Sequence, residues 1–217
     1  MLLKDISFII PVFNRPDEID ELLKSFSEID GDKDFEIVIV EDGSKQKCKH
    51  IIENFNNLNI AYFFKKNSGP GDSRNFGMNV AKGKYFIILD SDIILPPDYN
   101  KILINNLSKN FSDCFGGVDA SHHSFNYFQK AVSYSMTSFI TTGHVRGGNK
   151  SKDFEPRSFN MGYSIDVYKK TNGFSKMRFG EDIDMSIRIL ENGFKTRLFK
   201  DAFVYHKRRT SLKQFFK

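Results

Sequence analysis

Two carboxylates one residue apart, Asp90 and Asp92, follow directly on the apolar run Tyr85-Phe86-Ile87-Ile88-Leu89. The run predicts a buried strand, so the charged side chains must lie at its solvent-facing end. Side chains at positions i and i+2 can turn toward one point, and Mg²⁺ and Mn²⁺ prefer such oxygen ligands and in turn bind phosphate. The spacing therefore predicts a metal–diphosphate site. The segment alone would equally fit a turn, because Asp and Ser favour loops and Pro96-Pro97 follows.

Polar groups also follow two other predicted strands. Phe13-Asn14, after Pro11, offers an aromatic face on which a flat base could stack. Glu41-Asp42-Gly43-Ser44 places a carboxylate where it could accept hydrogen bonds from a base or a ribose. Ligands of parallel α/β sheets bind beyond the carboxyl ends of the strands, so we expect these groups to meet Asp90 and Asp92. Taken singly, the first segment is also explained by a core Phe and the second by an Asp-Gly turn.

The elements that must position these groups alternate between strand and helix. Strand patterns occur at residues 6–13, 35–40, 60–64 and 85–89, and helix patterns at 17–26, 48–55 and 71–81. Nearly continuous Ile, Val and Phe in the strands indicates burial on both faces, which is typical of a parallel sheet covered by crossover helices. We predict a single α/β domain with a mostly parallel central sheet and helices on both faces.

The second half of the chain has a different pattern. We predict a strand at 115–118, helices at 124–138 and 181–192, and two short strands, 196–199 and 202–205, that lead to His206. The polar stretch 146–158 is a predicted loop, and its length is typical of a functional lid or a disordered segment. The sequence shows no repeat or linker, so residues 1–206 are predicted to form one domain.

The net charge of +5 lies in the tail, residues 207–217, which contains five basic residues and no acid. The preceding residues carry 27 charges of each sign, so no broad phosphate-binding face is expected and no nucleic-acid partner is predicted. In the tail, Leu212, Phe215 and Phe216 share one helical face, which predicts a peripheral membrane contact; the alternative is packing on the domain.

Localisation is predicted from what the sequence lacks. It contains two cysteines, no apolar run of membrane-span length and no pattern of a secretory signal at its start. We therefore expect a cytoplasmic protein at the inner face of the cell membrane, with both thiols structural.

Taken together, four segments resemble the nucleotide-binding half of family 2 glycosyltransferases, which have the GT-A fold. They are residues 9–15, 37–44 and 67–77 together with Asp90-Ser91-Asp92. Residues 160–162, 173–174, 180–184 and 204–206 resemble the acceptor half of the same family. The resemblance covers residues 5–210 and implies a nucleotide-binding half at 1–95 and an acceptor-binding half at 96–206.

The resemblance implies roles for the matching donor-site residues. Phe13 would stack on uracil, Asp42 would bind uracil or ribose, and Arg74 would shape the base and phosphate pocket. Glu41 departs from the Asp that the family usually has there and leaves Asp42 intact. The other implied nucleotide-binding residues are Pro11, Asn14, Asp90 and Ser91.

The resemblance also implies a metal site and a catalytic base. Asp90 and Asp92 would bind Mn²⁺ or Mg²⁺, His206 would complete the metal site, and Asp182 would be the general base. Without the resemblance, acids at 181–182 would be explained by a helix start. The implied acceptor-binding residues are Asn160, Met161, Gly162 and Glu181.

The implied function is inverting, metal-dependent transfer of a single sugar from a nucleoside diphosphate sugar, a UDP-sugar, to a hydroxyl. The acceptor would be a glycan or a lipid-linked glycan in bacterial polysaccharide synthesis. The absence of Trp and of a Gln-x-x-Arg-Trp motif argues against processive synthesis. Two alternatives are a sugar-1-phosphate nucleotidyltransferase, which should have a Gly-rich loop after the first strand, and a non-catalytic sugar-nucleotide-binding module.

Overall fold

The computed structural model describes residues 1–137, 154–177 and 179–207, and eight strands of this part form one sheet. The strands are β1 (Ile6–Val12), β2 (Glu36–Asp42), β3 (Ile60–Lys65), β4 (Tyr85–Leu89), β5 (Ile93–Ile94), β6 (Cys114–Ala120), β7 (Asn160–Ser164) and β8 (Thr196–His206). The helices are α1 (Pro16–Ser27), α2 (Lys49–Ile52), α3 (Pro70–Val80), α4 (Tyr99–Lys109), α5 (Tyr127–Thr137), α6 (Ile165–Thr171) and α7 (Glu181–Glu191), with a short 3-10 helix, Leu3–Asp5, before β1.

One side of the sheet is parallel and the other is mixed. β3, β2, β1 and β4 lie side by side and run in the same direction. β7 pairs antiparallel with both β4 and β6, β6 pairs parallel with β8, and β5 pairs antiparallel with β8 at the edge. Parallel neighbours need crossover connections, and α1, α2 and α3 supply them. The prediction of one α/β domain with a mostly parallel sheet is confirmed.

Each face of the sheet packs against its own hydrophobic core. In β1, Phe8 belongs to a core that includes Phe26 and Phe35, whereas its neighbour Ile9 belongs to the opposite core with Met78. The Phe8 ring meets those of Phe26 and Phe35 edge to face, with centroids 5.0 and 5.2 Å apart. Successive strand residues point to opposite faces, so burial of both faces explains the continuous apolar runs.

The sequence analysis missed β5, α4, β7 and α6. β7 contains Asn160, Gly162 and Ser164 and therefore lacks the apolar run by which strands were recognised. All five of its residues are nevertheless buried, because it lies between β4 and β6. β7 forms a strand because of the strands that lie beside it, and its own sequence does not reveal those neighbours.

The two strands predicted at 196–199 and 202–205 are one continuous strand, β8. Its pairing with β6 shifts between the Phe199–Gly117 and Val204–Asp119 pairs, so the predicted break is a bulge and the chain does not turn back. The helix predicted at 48–55 is a single turn, α2, followed by turns. The helices predicted at 124–138 and 181–192 correspond to α5 and α7.

Two predicted segments lie largely outside the described residues. Of the predicted loop 146–158, residues 154–158 are described and form neither helix nor strand. Of the basic tail, only Lys207 is described. Within the described ranges, no helix combines the length and the apolar character needed to cross a bilayer. Cys48 and Cys114 are buried free thiols, as expected of structural cysteines.

A buried carboxamide ties the mixed half of the sheet together. Asn160 is fully buried; its Oδ1 accepts a hydrogen bond from the Tyr99 hydroxyl at 2.7 Å, and its Nδ2 donates to the Ala202 carbonyl at 2.8 Å. The bonds join α4, β7 and β8. Two positions along β7, a Cβ on Gly162 would stand 2.1 Å from the Phe115 ring, so only glycine fits.

We predict that Asn160→Ala lowers the free energy of unfolding by about 2 to 4 kcal/mol, because it leaves the Tyr99 hydroxyl and the Ala202 carbonyl buried without a partner. Urea denaturation measures the change. Asn57→Ala, at an exposed turn, is the control and should stay within about 0.5 kcal/mol of the parent. Equal stability of the two variants would contradict the structural role of Asn160.

Candidate active site

A cleft of about 1030 Å³ lies beyond the carboxyl ends of β1, β2 and β4. Its walls bring together side chains that are distant in sequence, among them Phe13, Asp42, Arg74, Asp90 and Asp92. Its lining also includes residues 67–74, where the chain enters α3, and residues 175–177 and 179–181, which lie beside them. This size suits a ligand larger than a single sugar, since small-molecule sites are typically about 300 to 1,000 Å³.

Three potential metal ligands meet at this cleft. Asp90 and Asp92 follow β4, and His206 is the last residue of β8, where it pairs with Ile93 of β5. One ligand atom from each of the three lies within 4.8 Å of the others. Two carboxylate oxygens and one imidazole nitrogen form a donor set that suits Mn²⁺ and also Mg²⁺, so the residues fit the predicted divalent cation.

Arg15 and His206 both contact the Asp92 carboxylate. Its Oδ1 lies 3.2 Å from His206 Nε2, and its Oδ2 lies 2.9 Å from an Arg15 guanidinium nitrogen. Burial opposes ionisation of Asp92, but the hydrogen bond and charge of His206 and the charge of Arg15 outweigh it and lower the pKa of this carboxyl. Asp92 is therefore held as a carboxylate, the form in which a metal ligand must be.

Arg74 connects the metal-site carboxylates to α7. Its side chain, on α3, is only 5% exposed and contacts Asp90 Oδ1 at 3.0 Å and Glu181 Oε1 at 2.8 Å. The guanidinium also lies over the Phe174 ring, 5.2 Å from its centroid. A buried guanidinium needs such partners, because an uncompensated charge in the interior is strongly destabilising. Arg74 therefore holds the two sides of the cleft in register.

Asp42, the last residue of β2, is fixed by the loop that leads into α3. Its Oδ1 accepts hydrogen bonds from Lys65 Nζ at 2.5 Å and from the Ser68 amide at 2.9 Å, and its Oδ2 accepts one from the Gly69 amide at 2.9 Å. Three of its roughly four acceptor positions are thus used. These hydrogen bonds orient the carboxylate at the cleft and leave it capacity for a further donor.

The side chain of Glu41, next to Asp42, forms its hydrogen bonds in the protein interior. Its carboxylate accepts hydrogen bonds from the Cys48 amide, at 3.1 and 3.2 Å to its two oxygens, and from the Tyr62 hydroxyl. Burial, reinforced by the negative Glu41, raises the pKa of the Cys48 thiol to about 12 and also raises the pKa of Tyr62. The Cys48 thiol and the Tyr62 hydroxyl therefore keep their protons. The hydrogen bonds to Glu41 fix the position of the segment after Asp42.

Phe13 and Asn14 form the turn after β1. Phe13 is 50% exposed at the cleft wall, so the alternative explanation of the segment as a core Phe does not describe its position. Asn14 has a φ of 55° and its side-chain oxygen accepts hydrogen bonds from the Lys45 and Gln46 amides. The Asn14 side chain thus ties this turn to the loop after β2, and direct contact of Asn14 with a nucleotide stays a prediction. Pro11 and Ser91 also line the cleft.

The predicted base, Asp182, lies on the first turn of α7. Gly180, with a φ of 79°, lets the chain enter the helix directly from the cleft wall. Glu181 lines the cleft and pairs with Arg74, whereas Asp182 is half-buried and, within the described residues, is not part of the cleft lining. Its Oδ1 accepts a hydrogen bond from the Ile183 amide at 2.9 Å. Asp182 therefore lies at the rim, next to the cleft and nearer the solvent.

The structure does not place the predicted acceptor residues of β7 at the cleft surface. Asn160 and Met161 are fully buried, and Gly162 is packed against Phe115. In the structure they support the sheet beside β4, and an acceptor contact through these residues stays a prediction.

Three basic residues at or beside the cleft have no counterpart in the sequence predictions. Arg15 and Lys176 line the cleft and Arg15 binds Asp92, whereas Lys65 lies behind the lining and binds Asp42. Arg15 lay within the segment that follows β1, but its partner is 77 positions away. No local spacing marks such a pair, so only the assembled sheet could reveal it.

Comparison with known proteins gives a family match over most of the chain. The family model described as glycosyl transferase family 2 matches residues 7–170. An uncharacterized glycosyltransferase of Rickettsia conorii is 36% identical over 141 residues, which cover 64% of this chain and 22% of the relative. The chain therefore spans about a fifth of the length of that relative.

Two solved structures are similar to this one. Staphylococcus aureus TarS in complex with UDP-GlcNAc has a TM-score of 0.74 at 22% identity, covering 95% of this chain and 59% of that one. The mannosyltransferase PcManGT of Pyrobaculum calidifontis, in complex with GDP-Man and Mn²⁺, has a TM-score of 0.75 at 14% identity, covering 98% and 59%. At these identities the likeness concerns the fold.

The ion pair between Arg15 and Asp92 generates a prediction about metal affinity. Arg15 occupies one oxygen of a metal-site carboxylate, so Arg15→Gln should strengthen Mn²⁺ binding about two- to fivefold, the equivalent of a partly exposed ion pair of about 0.4 to 1 kcal/mol. Electron paramagnetic resonance titration of free Mn²⁺ measures the change. Lys24→Gln, which removes an exposed cation from α1, should leave the affinity unchanged. Weaker binding in Arg15→Gln would show that Arg15 supports the site and does not compete for it.

Proposed function

The chain belongs to glycosyl transferase family 2 and has the GT-A fold, and from this we propose that it transfers one sugar from a UDP-sugar to a hydroxyl of a glycan or lipid-linked acceptor. The observation that carries the proposal is the meeting of Asp90, Asp92 and His206 at a cleft whose other wall holds Asp42. Bacterial polysaccharide synthesis is the proposed setting. A partial match to TarS, named as a poly(ribitol-phosphate) β-N-acetylglucosaminyltransferase, supports it.

The base and ribose of the donor are proposed to lie between Phe13 and Asp42. The half-exposed Phe13 ring offers a face for stacking on uracil. The Asp42 side chain is oriented by Lys65 and two amides and has one acceptor position left, which could take a hydrogen bond from the uracil N–H or a ribose hydroxyl. The UDP-GlcNAc of the TarS complex supports uridine as the base, whereas the PcManGT complex contains the guanosine nucleotide GDP-Man.

The diphosphate is proposed to lie against the acidic end of β4. Asp90, Asp92 and His206 would hold Mn²⁺ or Mg²⁺ there, and the Mn²⁺ in the PcManGT complex supports this assignment. A divalent cation in this place supplies charge neutralisation for the leaving diphosphate. Arg15 lies at the same wall and adds a permanent positive charge.

The acceptor hydroxyl is proposed to approach from the α7 side. Asp182 would accept its proton while the hydroxyl oxygen forms a bond to the anomeric carbon and the bond to the diphosphate breaks. A single displacement of this kind inverts the configuration of that carbon. Support comes from the place of Asp182 at the rim, directly after Glu181, which Arg74 holds against Asp90.

The experiment that separates this proposal from its alternatives is a donor panel. Release of free sugar or transfer from UDP-sugars, with and without Mn²⁺, is expected for a transferase. A nucleotidyltransferase would form UDP-sugar from UTP and a sugar 1-phosphate; its glycine-rich loop has no counterpart in Phe13-Asn14-Arg15, which leads straight into α1. A non-catalytic module would bind the UDP-sugar without releasing its sugar.

Location in the cytoplasm and a peripheral membrane contact through the basic tail belong to the proposal as predictions from sequence. The tail beyond Lys207 lies outside the described residues.

We predict that Asp92→Ala abolishes the Mn²⁺-dependent part of UDP binding while the fold persists, because Asp92 lies at the rim of the sheet and not in its core. Calorimetry with UDP, with and without Mn²⁺, measures the loss, and circular dichroism checks the fold. Asp98→Ala is the matched control: Asp98 is exposed and its side chain makes no cap hydrogen bond to α4. Unchanged UDP affinity in Asp92→Ala with Mn²⁺ present would refute the metal assignment.

For the base, we predict that Asp182→Asn preserves UDP binding but lowers turnover by at least ~10², the scale of a lost general base. Glu181→Gln should instead weaken donor binding and stability, because it breaks the buried pair with Arg74. Asp184→Asn, two residues along the same helix, is the control and should keep near-normal turnover. If Asp182→Asn turns over normally and Glu181→Gln does not, the base is Glu181.

A further inference from the structure

The sheet itself holds His206 less firmly than it holds the other two candidate metal ligands. His206 is the last residue of β8 and pairs with Ile93 of β5, a strand of only two residues at the edge of the sheet. The last pair between β8 and β6, Ala120 with Tyr205, comes before it. The ends of edge strands open easily, because few contacts oppose it. Contacts outside the sheet are therefore needed to keep the His206 imidazole at the cleft.

The direct contact between His206 and Asp92 cannot hold the imidazole once a cation binds. His206 Nε2 lies 3.2 Å from Asp92 Oδ1. A ring nitrogen that coordinates a metal uses its lone pair and no longer donates a proton to the carboxylate. The ring also stacks on Phe159, with centroids 5.3 Å apart. Stacking restricts the tilt of the ring, but the backbone that carries it must be fixed by other contacts.

The next residue, Lys207, supplies these backbone contacts. Its amide donates a hydrogen bond to the Asp92 carbonyl at 2.7 Å. Its ammonium group donates to both carboxylate oxygens of Glu21 on α1, at 2.8 and 2.7 Å. We call this ion pair between Lys207 and Glu21 the clasp. The two side chains are 29% and 42% exposed, so solvent screens the clasp in part, but contact with both oxygens defines its geometry.

The helix that carries Glu21 is itself fixed beside the metal site. The apolar face of α1 is buried in the core on that side of the sheet. Ser25 Oγ of α1 accepts a hydrogen bond from the Leu95 amide, directly after β5, at 3.1 Å. Arg15, which immediately precedes α1, contacts the Asp92 carboxylate. The same helix thus contacts both segments of the chain that carry the candidate ligands.

We propose that Glu21 and Lys207 are positioning residues of the metal site. The clasp holds the end of β8 against α1, so that His206 Nε2 stays within reach of a cation bound to Asp90 and Asp92. Within the described residues, neither member of the clasp lines the cleft, so both act through His206. A ligand that is already ordered binds a cation more tightly than one that must first be ordered. The inference rests on the proposed function, because it takes His206 as a metal ligand.

The first test separates positioning from simple electrostatics, because the two predict opposite results for Lys207. Lys207→Met removes a positive charge near the metal site, which by electrostatics alone would strengthen Mn²⁺ binding. Loss of the clasp should instead weaken Mn²⁺ binding about two- to fivefold, the range of a partly exposed ion pair. Glu21→Gln should weaken it by a similar factor. The double variant should bind no more weakly than either single variant, because all three lack the same clasp. Electron paramagnetic resonance titration of free Mn²⁺ measures each affinity.

A second readout follows His206 itself. Electron spin echo envelope modulation detects a nitrogen atom bound to Mn²⁺. We expect this nitrogen signal in the parent, a weaker signal in the clasp variants and none in His206→Ala. Asp17→Asn, which removes an exposed carboxylate from the same helix, is the control and should keep the parental affinity and signal. The melting temperature of the clasp variants should stay within about 2 °C of the parent, because the pair lies near the surface.

Two outcomes would overturn the inference in distinguishable ways. Parental or tighter Mn²⁺ binding by Lys207→Met, with the nitrogen signal intact, would show that the clasp does not position His206 and would leave the proposed function untouched. Absence of the nitrogen signal from the parent would instead remove His206 from the metal site, and the metal assignment of the proposed function would fail together with the inference.

Discussion

The buried charge of Arg74 is the constraint on which the arrangement of the cleft depends. A guanidinium that is almost fully enclosed must be compensated, and its two partners come from distant parts of the chain, Asp90 after β4 and Glu181 at the start of α7. Movement of α7 away from the sheet would leave the buried Glu181 without its cation. The pairing thus couples the half of the domain that would hold the nucleotide to the half that would receive the acceptor.

The same principle recurs along the cleft. Asp42 is paired with Lys65, Asp90 with Arg74, and Asp92 with both Arg15 and His206. Each acid is therefore oriented by a partner before any ligand enters. An anionic donor meets a surface whose negative groups are already compensated, which lowers the electrostatic cost of bringing a diphosphate close to three carboxylates.

The sequence predicts the parallel half of the sheet and the cleft acids well, because both follow from local patterns. Each of these strands is an apolar run, and acids that come directly after such a run, such as Asp90 and Asp92, must lie at its solvent-facing end. It predicts the mixed half poorly. β7 is buried by its neighbours and not by its own composition, the bulge in β8 depends on pairing with β6, and the Arg15–Asp92 pair joins residues that only the finished sheet makes adjacent. Asn160 shows the limit most clearly, since its motif does not indicate that its carboxamide also joins α4, β7 and β8 through buried hydrogen bonds.

The opposed directions of Glu41 and Asp42 have a consequence for how sequences of this kind can vary. The Glu41 carboxylate binds Cys48 and Tyr62 in the interior, and the Asp42 carboxylate binds Lys65 at the cleft. Strand side chains alternate strictly between the two faces of a sheet. Inserting or deleting one residue within β2 would therefore turn the Glu41 side chain away from Cys48 and Tyr62 and the Asp42 side chain away from Lys65 and the cleft. Length changes are therefore more tolerable in the loop before Glu36 than within β2 or in residues 44–48, which bond to Asn14 and Glu41, and an alignment that places a gap within β2 is misregistered.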